Sequence, residues 1–236
     1  MKALTIPPIV APTIHLLKTP FTLPFQLDPS CVLCLMPFRN DKWFDFSGKG
    51  NHGIINGATW TAKGRHGPAL YFDGVDDYVE IAHSDSLDLN VLTVEAWMKS
   101  TYTGTWFDAV VAKYGSTGIT PFWGLGWMDT NTLGFCIRDT ANVLHKACAA
   151  AGEGLDGEWH HLVGVASADT VQFWMDGIKK DEVARTARDI RNTRFVSLAY
   201  HLDKYVPVTI DEVRIYNRAL SPAEILALYE QGREIR

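Results

Sequence analysis

The chain has 236 residues, of which 47% are hydrophobic, and this is enough to bury the core of one large domain. Its 22 basic and 27 acidic residues give a net charge of −5, and no run of Lys and Arg alternates with aromatic residues. This composition excludes an intrinsically disordered chain, and we expect no nucleic-acid partner.

The first 30 residues differ in composition from the rest. They contain six prolines, at positions 7, 8, 12, 20, 24 and 29, and proline neither continues a helix nor donates a hydrogen bond to a sheet. We predict an extended Pro-rich N-terminal arm over residues 1–30 and one domain over residues 31–236. Because the apolar side chains of the arm need burial, we expect them to dock on a further copy of the chain or on another protein. They are Ile6, Val10, Ile14, Leu17, Phe21 and Phe25.

The same prolines interrupt the continuous apolar region that a signal peptide requires, so the sequence predicts no export signal. No apolar stretch approaches the roughly 20 residues of a membrane-spanning helix. We therefore expect no insertion into a membrane.

From residue 31 onward, short apolar segments alternate with turns rich in Gly, Asn and Asp. Twelve segments have this character: CVLCLMPF, GIINGATW, ALYFDG, DYVEIA, LTVEAWMKS, DAVVAKYG, FWGLGWM, LGFCIRD, WHHLVGVAS, TVQFWMDG, FVSLAY and TIDEVRIYN. Their number and spacing predict an all-β fold, a two-sheet antiparallel sandwich of the jelly-roll type.

The C-terminal segment has the signature of one short α-helix. Ser221 can cap it, Pro222 suits its first position and Glu224 its third, which together form a capping box. Gly232 is expected to end the helix. Three apolar residues at helical spacing predict a face that lies on the sandwich. They are Ile225, Leu228 and Tyr229.

The four cysteines, at positions 31, 34, 136 and 148, are too few and too scattered for a disulfide framework. Cys31 and Cys34 form a CxxC within a predicted strand, where positions three apart point to opposite faces. We expect buried free thiols rather than a zinc or redox pair, with a disulfide formed elsewhere as the alternative.

Residues 48–53 spell GKGNHG, a G-x-G-x-x-G pattern typical of dinucleotide-binding turns. Such a turn needs a buried strand before it and a helix after it, whereas residues 54–60 have a β-type pattern. What remains is a tight loop with side-chain oxygens from Asp45, Ser47 and Asn51, which suits a hard cation such as Ca²⁺. The alternative is a glycine turn whose side chains cap their own backbone.

Six segments, in this order, resemble the laminin-G-like domain family of bacterial, archaeal and phage proteins. They are DFSGKGNHGIINGATW, GPALYFDGVDDYVEI, LTVEAWMK, GEWHHLVGV, VQFWMDG and IDEVRIYNRALSPAEILALYEQG. The resemblance covers about residues 31 to 236 and implies a concanavalin A-like jelly roll. It leaves the ligand open, because this superfamily contains lectins, adhesion modules, structural proteins and glycoside hydrolases.

The resemblance also implies a structural calcium ion. Where the family has one, it often lies between the loop after the first strand and the last strand. Carried over to this sequence, the implied ligands are Asp45, the backbone carbonyl of Asn51 and Asp211. A hydrogen-bonded turn without metal is the alternative.

Other single residues match the family's pattern. Trp97 and Trp159 resemble its buried tryptophans, and residues 174–177 resemble its hairpin, where Asp-Gly suits a type I′ turn. The pattern places His160 and His161 in a core strand. Because adjacent strand residues face opposite sides, we predict that both histidines are structural rather than ligands of one metal.

The sequence lacks the alternating acids that glycosidases of this fold use for catalysis. Glycosidases of this fold resemble one another in a strand with alternating acids, E-x-D-x-x-E, and this sequence has no such run. Asp211 and Glu212 are adjacent, so we expect them to point to opposite faces of a strand. The prediction is a chain without catalytic activity, and a glycoside hydrolase with acids from separate strands is the alternative.

Aromatic residues are frequent between residues 102 and 123, in a segment rich in Gly and Thr that also holds Phe107 and Phe122. Sugar rings stack on aromatic faces beside polar side chains. The predicted glycan site consists of Tyr102, Trp106, Tyr114 and Trp123. Trp123 and Trp127 share one face of a strand, so burial in the core is the alternative for both.

Members of the resembled family mostly work outside cells, whereas this sequence predicts no export signal. Assembly into a virus particle that is released at lysis reconciles the two. We predict a non-catalytic display or binding module, a virion-associated structural or decoration protein anchored by its arm to a capsid or tail partner. The first alternative is a lectin-like adhesion module of a cell-surface or extracellular protein, and the second is a glycoside hydrolase.

Overall fold

The computed structural model describes residues 27–36, 42–114, 121–186 and 188–234. The six predicted docking residues of the arm, and the arm as far as residue 26, lie outside the described residues. Within the described residues, no helix is long and apolar enough to span a membrane.

The described residues form eighteen strands, one 3₁₀ turn at Asp85–Leu87 and one helix. The strands are β1 (Cys31–Met36), β2 (Lys42–Asp45), β3 (Gly53–Asn56), β4 (Thr59–Thr61), β5 (Ala69–Asp73), β6 (Tyr78–Ile81), β7 (Leu92–Lys99), β8 (Asp108–Lys113), β9 (Phe122–Asp129), β10 (Thr132–Arg138), β11 (Leu144–Cys148), β12 (Trp159–Ala166), β13 (Thr170–Met175), β14 (Ile178–Ala184), β15 (Val196–Leu198), β16 (Tyr200–His201), β17 (Lys204–Tyr205) and β18 (Pro207–Tyr216). The helix is α1 (Pro222–Glu234).

These strands form two antiparallel layers. Sheet A has the order β14-β13-β12-β7-β18, with β1 and β5 along the other side of β18 and β4 outside β5. Sheet B has the order β11-β10-β9-β8-β15-β6-β3. Strand β2 joins the layers, because Asp45 pairs with Leu35 of β1 while Trp43 pairs with Gly53 of β3. The predicted all-β, two-sheet jelly-roll sandwich with one short C-terminal helix is confirmed.

The main core lies between the sheets, since alternate residues of each strand point inward. Its largest fully buried side chains include Trp43, Trp123, Trp127, Phe72 and Phe135. The outward residues of sheet B form a separate apolar cluster of Phe107, Phe122, Met128 and Cys136. The outer side of sheet A is covered by α1. Both sheets therefore have apolar residues on their outer faces as well.

Each of the twelve predicted segments contains a strand, and GIINGATW is split in two at Gly57, which has a φ of +75°. The sequence analysis missed β2, β11, β14 and the β16–β17 ribbon. Strand β14 (IKKDEVA) is polar and exposed or half-buried throughout. It shows no apolar alternation because it is the edge strand of sheet A.

The predicted capping box is present at the start of α1. Glu224 Oε2 accepts hydrogen bonds from Ser221 N and Ser221 Oγ, both over 2.7 Å. The helix continues to Glu234, so the prediction that Gly232 ends it is wrong. A Cβ at Gly232 would lie 2.5 Å from Trp97 Cζ2, so this glycine permits close packing instead. The predicted apolar face does pack on sheet A, through Ile225, Leu228 and Tyr229.

Of the other family features, the hairpin turn and one of the two buried tryptophans are confirmed. The turn between β13 and β14 has positive φ at Asp176 (52°) and Gly177 (75°), which confirms the type I′ turn. Trp97 is 2% exposed and therefore buried, as predicted. Trp159 is only half-buried at the start of β12, so the prediction of a buried tryptophan is wrong there.

All four cysteines are free, and three of them are buried. The expectation that Cys31 and Cys34 face opposite sides is wrong. The register of β1 against β18 shifts between Cys31 and Leu33, and such a bulge puts an extra residue in the strand. Both thiols therefore join one cluster on the outer side of sheet A.

Candidate functional site

The loop after β2 is organised around one carboxylate. Asp45 Oδ1 accepts hydrogen bonds from the backbone N–H groups of Cys34 and Ser47, each over 2.9 Å. Asp45 Oδ2 accepts from Ser47 Oγ over 2.8 Å and from Asn51 N over 2.9 Å. Gly48 and Gly50 turn the loop at φ of +79° and +77° and lead it into β3. Since no helix follows, this is not a dinucleotide-binding turn.

The side chain of Asn51 is also engaged within the fold. Its Nδ2 donates to Val32 O over 2.8 Å and to Ser86 Oγ over 2.9 Å, and its Oδ1 accepts from Ser84 Oγ over 2.7 Å. These bonds tie the loop to β1 and to the 3₁₀ turn.

The third implied calcium ligand has other partners. Asp211 accepts hydrogen bonds from His66 N and Glu212 N, each over 2.9 Å. It belongs to β18, which is separated from β2 by β1. Because N–H and O–H donors already occupy the Asp45 oxygens, and Asp211 bonds elsewhere, the three implied ligands do not fit one ion in this arrangement. The hydrogen-bonded turn describes the loop, and calcium binding stays a prediction.

The adjacent acids of β18 do not face opposite sides as expected. His66 N bonds Asp211, while His66 Nδ1 lies 3.3 Å from Glu212 Oε1. The register between β18 and β7 shifts between Asp211 and Arg214, and Glu212 has a φ of 50°. This bulge brings both carboxylates to one histidine.

A buried ionic network lies beside these acids. Glu95 is 0% exposed, and it accepts from Arg214 Nη1 at Oε1 over 2.6 Å and contacts His161 Nε2 at Oε2 over 2.9 Å. Burial by itself would raise the pKa of Glu95, but Arg214 and His161 outweigh it and hold the pKa at about 2. Glu212 pairs with the same guanidinium. Both glutamates are therefore held as structural carboxylates.

His160 also has carboxylate partners from the chain. Its Nδ1 lies 2.7 Å from Asp176 Oδ2, and its Nε2 lies 2.9 Å from Asp156 Oδ1. His160 and His161 thus contact different acids, as the predicted structural role requires.

The outer face of sheet B carries two adjoining cavities of about 160 Å³ each. Both are lined by Tyr114, His201 and Leu202. Seven side chains that line the second of these cavities form what we call the aromatic site. They are Trp106, Phe107, Tyr114, Phe122, Arg138, His201 and Lys204.

Distant segments supply this site. Trp106 and Phe107 precede β8, and Phe107 has a left-handed φ of 66°, which turns the chain just before the strand. Tyr114 follows β8 and Phe122 begins β9. The β16–β17 ribbon brings His201 across the end of these strands.

The aromatic rings pack against one another. The Phe107 ring centre lies 4.8 Å from that of Phe122, edge to face, and 4.8 Å from that of His201. Tyr114 meets His201 edge to face at 4.0 Å. Trp106 is 42% exposed, so part of its ring is open to solvent at the mouth.

Basic side chains surround this surface. Lys146 Nζ lies 5.3 Å from the centre of the Trp106 ring, and the Arg138 guanidinium lies 5.3 Å from that of Phe122. Lys204 Nζ donates to Trp106 O over 2.8 Å. Lys146 Nζ is also paired with Asp129 over 3.0 Å, and Lys204 Nζ lies 3.4 Å from Asp108 Oδ1, so the rim carries charges of both signs around an apolar wall.

His201 is the unusual member of the site. It is 4% exposed, and among the described residues the only polar group that interacts with its ring nitrogens is the Phe107 backbone carbonyl, outside good hydrogen-bond geometry. Burial lowers its pKa to about 4, so the ring is neutral at pH 7 and offers one donor and one acceptor.

Of the four predicted glycan residues, the structure brings Trp106 and Tyr114 together. Trp123 is 1% exposed and lies in the core between the sheets, because Phe122 faces outward and the next residue faces inward. Tyr102 packs against the core and donates its hydroxyl to Asp108 Oδ2 over 3.1 Å. Sequence reasoning missed Arg138, His201 and Lys204, which carry no local motif.

Comparison with known proteins identifies the family. A model of the concanavalin A-like lectin/glucanase superfamily matches residues 73–226. The chain belongs to this superfamily. The laminin-G-like resemblance is thereby confirmed. No curated protein sequence matches the chain.

Solved structures of this fold include several binding domains. Domain 4 of AbnA, a GH43 extracellular arabinanase from Geobacillus stearothermophilus solved with arabinotriose, is 17% identical, with 85% of this chain and 98% of that domain covered and a TM-score of 0.69. The receptor binding domain of botulinum neurotoxin D is 12% identical, with 86% and 53% covered and a TM-score of 0.70. The binding domain of Paraclostridial Mosquitocidal Protein 1 is 15% identical, with 86% and 52% covered and a TM-score of 0.68.

This chain spans about half the length of the two toxin domains. At these identities the likeness shows the fold alone. A neurotoxin D ligand binding domain of the same fold, 13% identical with a TM-score of 0.67, was solved with N-acetylneuraminic acid.

Proposed function

We propose that this chain is a carbohydrate-binding module and that the aromatic site holds a terminal sugar. The main supporting observation is that the partly exposed ring of Trp106 and the buried, neutral ring of His201 line one cavity. The apolar face of a sugar ring stacks on an aromatic surface, while its hydroxyl groups both donate and accept hydrogen bonds. Structural neighbours that are themselves binding domains support this class of function.

The size of the site limits its ligand. Each cavity holds about 160 Å³, below the range of roughly 300–1,000 Å³ typical of enclosed small-molecule pockets. One ring fits, and the rest of a glycan would extend into solvent. Because Lys146 and Lys204 are paired with Asp129 and Asp108, the rim has no excess of one charge that would select a charged sugar, and we propose a neutral one.

We propose no catalytic role. Glu95 and Glu212 lie close together in sheet A, but both are buried and paired with Arg214. The two toxin domains named above are binding domains, which supports a non-catalytic module. Turnover of a polysaccharide panel would count against this proposal.

A glycan array with the full chain tests sugar binding, and calorimetry on the best hit then compares variants. We expect Trp106→Ala to weaken binding by about five-fold, since loss of an aromatic stack costs on the order of 1 kcal/mol. Tyr71→Ala is the matched control, because Tyr71 is 46% exposed on sheet A, away from the site. His201→Phe keeps the ring but removes both nitrogens, and it should also weaken binding. Equal affinity in all four proteins would overturn the assignment.

We also propose that this module is displayed on a virion surface, with export to the cell exterior as the alternative. The virion proposal rests on the predicted Pro-rich arm of residues 1–30, most of which lies outside the described residues. Light scattering on the full chain tests it: Phe21→Asp together with Phe25→Asp should dissociate an arm-linked assembly. An unchanged mass of the assembly would argue that the arm does not hold the assembly together.

A further inference from the structure

A third cavity, of about 130 Å³, lies at one end of the sandwich. It is formed where the chain enters β7, by the turn between β12 and β13, and by the segment after β14. We call it the Arg185 cavity, and it is lined by Asn90, Val91, Ala168, Arg185, Arg188 and Asp189. It shares no lining residue with the aromatic site.

Arg185 is only 8% exposed, yet its guanidinium is poorly partnered. Nη2 makes two long hydrogen bonds to backbone carbonyls, of Asn90 over 3.3 Å and of Arg188 over 3.4 Å. Nε and Nη1 have no partner among the described residues. Arginine is almost never this buried without a partner for its charge.

The neighbouring carboxylates do not fill this role. Asp189 is held by Arg191, whose Nε and Nη2 donate to it over 3.0 Å and 2.8 Å. Asp139 Oδ1 accepts the N–H groups of Ala141 and Val143, each over 2.9 Å, while its Oδ2 makes no hydrogen bond and lies 3.7 Å from Arg188 Nη1. No Asp or Glu in the part of the chain that the structure describes forms an ion pair with Arg185.

Burial lowers the pKa of Arg185, while Asp139 and Asp169 favour its charged form. A guanidinium nonetheless stays protonated in proteins, so the group remains a buried cation. A buried charge without a hydrogen-bonded counterion is costly, and an anion seated against it removes that cost.

We propose that the Arg185 cavity binds a small oxyanion of the phosphate or sulfate class. The free N–H groups of Arg185 supply charge-assisted hydrogen bonds to its oxygens. Arg188, whose side chain is 45% exposed, lies at the rim, where its Nη1 is 3.7 Å from Asp139 Oδ2. The small volume suits one tetrahedral oxyanion and does not enclose a whole nucleotide. The same chemistry fits a free ion or a phosphate group carried by a larger molecule.

Thermal unfolding and NMR on the full chain test the site. Sodium sulfate and sodium phosphate are titrated against sodium chloride at matched ionic strength, and sn-glycerol 3-phosphate forms a separate arm. We expect the oxyanions to raise the Tm and to shift one arginine Nε–H signal, assigned by its loss in Arg185→Gln, in a saturable way. If glycerol phosphate acts at similar concentrations, the site accepts an attached phosphate. If only the inorganic ions act, it takes free anions.

Arg194→Gln is the matched control, because Arg194 is exposed and outside this cavity. It should respond as the wild type does. Arg188→Gln covers the case in which Arg185→Gln fails to fold, and it should bind the oxyanion several-fold more weakly. An equal rise in Tm for wild type, Arg185→Gln and Arg188→Gln would mean general salt stabilisation and would overturn the proposal. An Nε–H signal that does not move would do the same.

Discussion

Arg214 Nη1 donates to Glu95 Oε1 over 2.6 Å in a pair that is buried on the outer side of sheet A. The same guanidinium meets Glu212, and His161 meets the other oxygen of Glu95. Helix α1 covers this region, where Tyr229 stacks on the ring of His161 at 6.3 Å. The network thus joins three strands of sheet A beneath the C-terminal helix.

Arg214→Met should destabilise the protein strongly. It leaves Glu95 and Glu212 buried without their shared cation, and breaking such a pair costs about 3–5 kcal/mol. Urea unfolding followed by tryptophan fluorescence measures the loss. Lys179→Met is the control, since Lys179 and Glu182 form an exposed pair at 2.7 Å that is worth less than about 1 kcal/mol. Equal losses in both variants would contradict the role given to the network.

Asp45→Asn should destabilise the loop after β2. The new amide group would face N–H and O–H donors, so at least two of the four hydrogen bonds are lost, at about 1–3 kcal/mol. Asp85→Asn, at an exposed acid of the 3₁₀ turn, should change the free energy of unfolding little. In thermal unfolding, EDTA should leave the Tm unchanged. A Tm that falls with EDTA and recovers with CaCl₂ would instead support the calcium prediction, because a bound ion stabilises the fold by linkage.

The elements that follow local rules could be predicted from the sequence. Strand periodicity, the capping box at Ser221 and the Asp176-Gly177 turn each depend on residues within a few positions of one another. The bulges do not: nothing in CVLC or IDEV indicates that Cys31 and Cys34 share a face, or that Asp211 and Glu212 meet one histidine. A bulge depends on pairing with a distant strand, so a single segment does not reveal it.

The aromatic site shows the same limit. Trp106 and Trp123 look alike in the sequence, but the register of β9 puts the second inside the core. Lys204 bonds Trp106 from a ribbon 98 residues further along the chain, and neither His201 nor Lys204 lies in a motif of its own. The family resemblance predicted the fold. It did not predict the ligand surface, because that surface depends on which side chains the topology leaves facing outward.

Stability should depend on pH through His160. The hydrogen bond with Asp176, against the opposing effect of burial and with a further one to Asp156, raises the pKa of His160 to about 9. A raised pKa stabilises the fold fully below the unfolded value of about 6.5, and this contribution is lost as the pH rises through about 9. The free energy of unfolding should therefore fall between these pH values.

His160→Gln tests this, because the difference in stability between wild type and variant should shrink across that window. Asp156→Asn, at an exposed partner, should reduce the slope without abolishing it, since Asp176 remains. Urea unfolding at several pH values gives the slopes. Parallel profiles for wild type and His160→Gln would show that another group controls the dependence.

The two tryptophans that the sequence did not distinguish should separate in experiments. Trp123→Ala removes a fully buried ring from the core and should cost about 3–5 kcal/mol of stability, as large cavities in cores do. Trp106→Ala removes a ring that is 42% exposed, so its effect on stability should stay below about 1 kcal/mol while binding of the array hit falls. Urea unfolding and calorimetry at a temperature where both variants are folded give the two quantities. A folded Trp123→Ala protein should bind the sugar as the wild type does, because Trp123 faces away from the aromatic site. If Trp123→Ala lost affinity and Trp106→Ala kept it, the ligand surface would have to lie elsewhere.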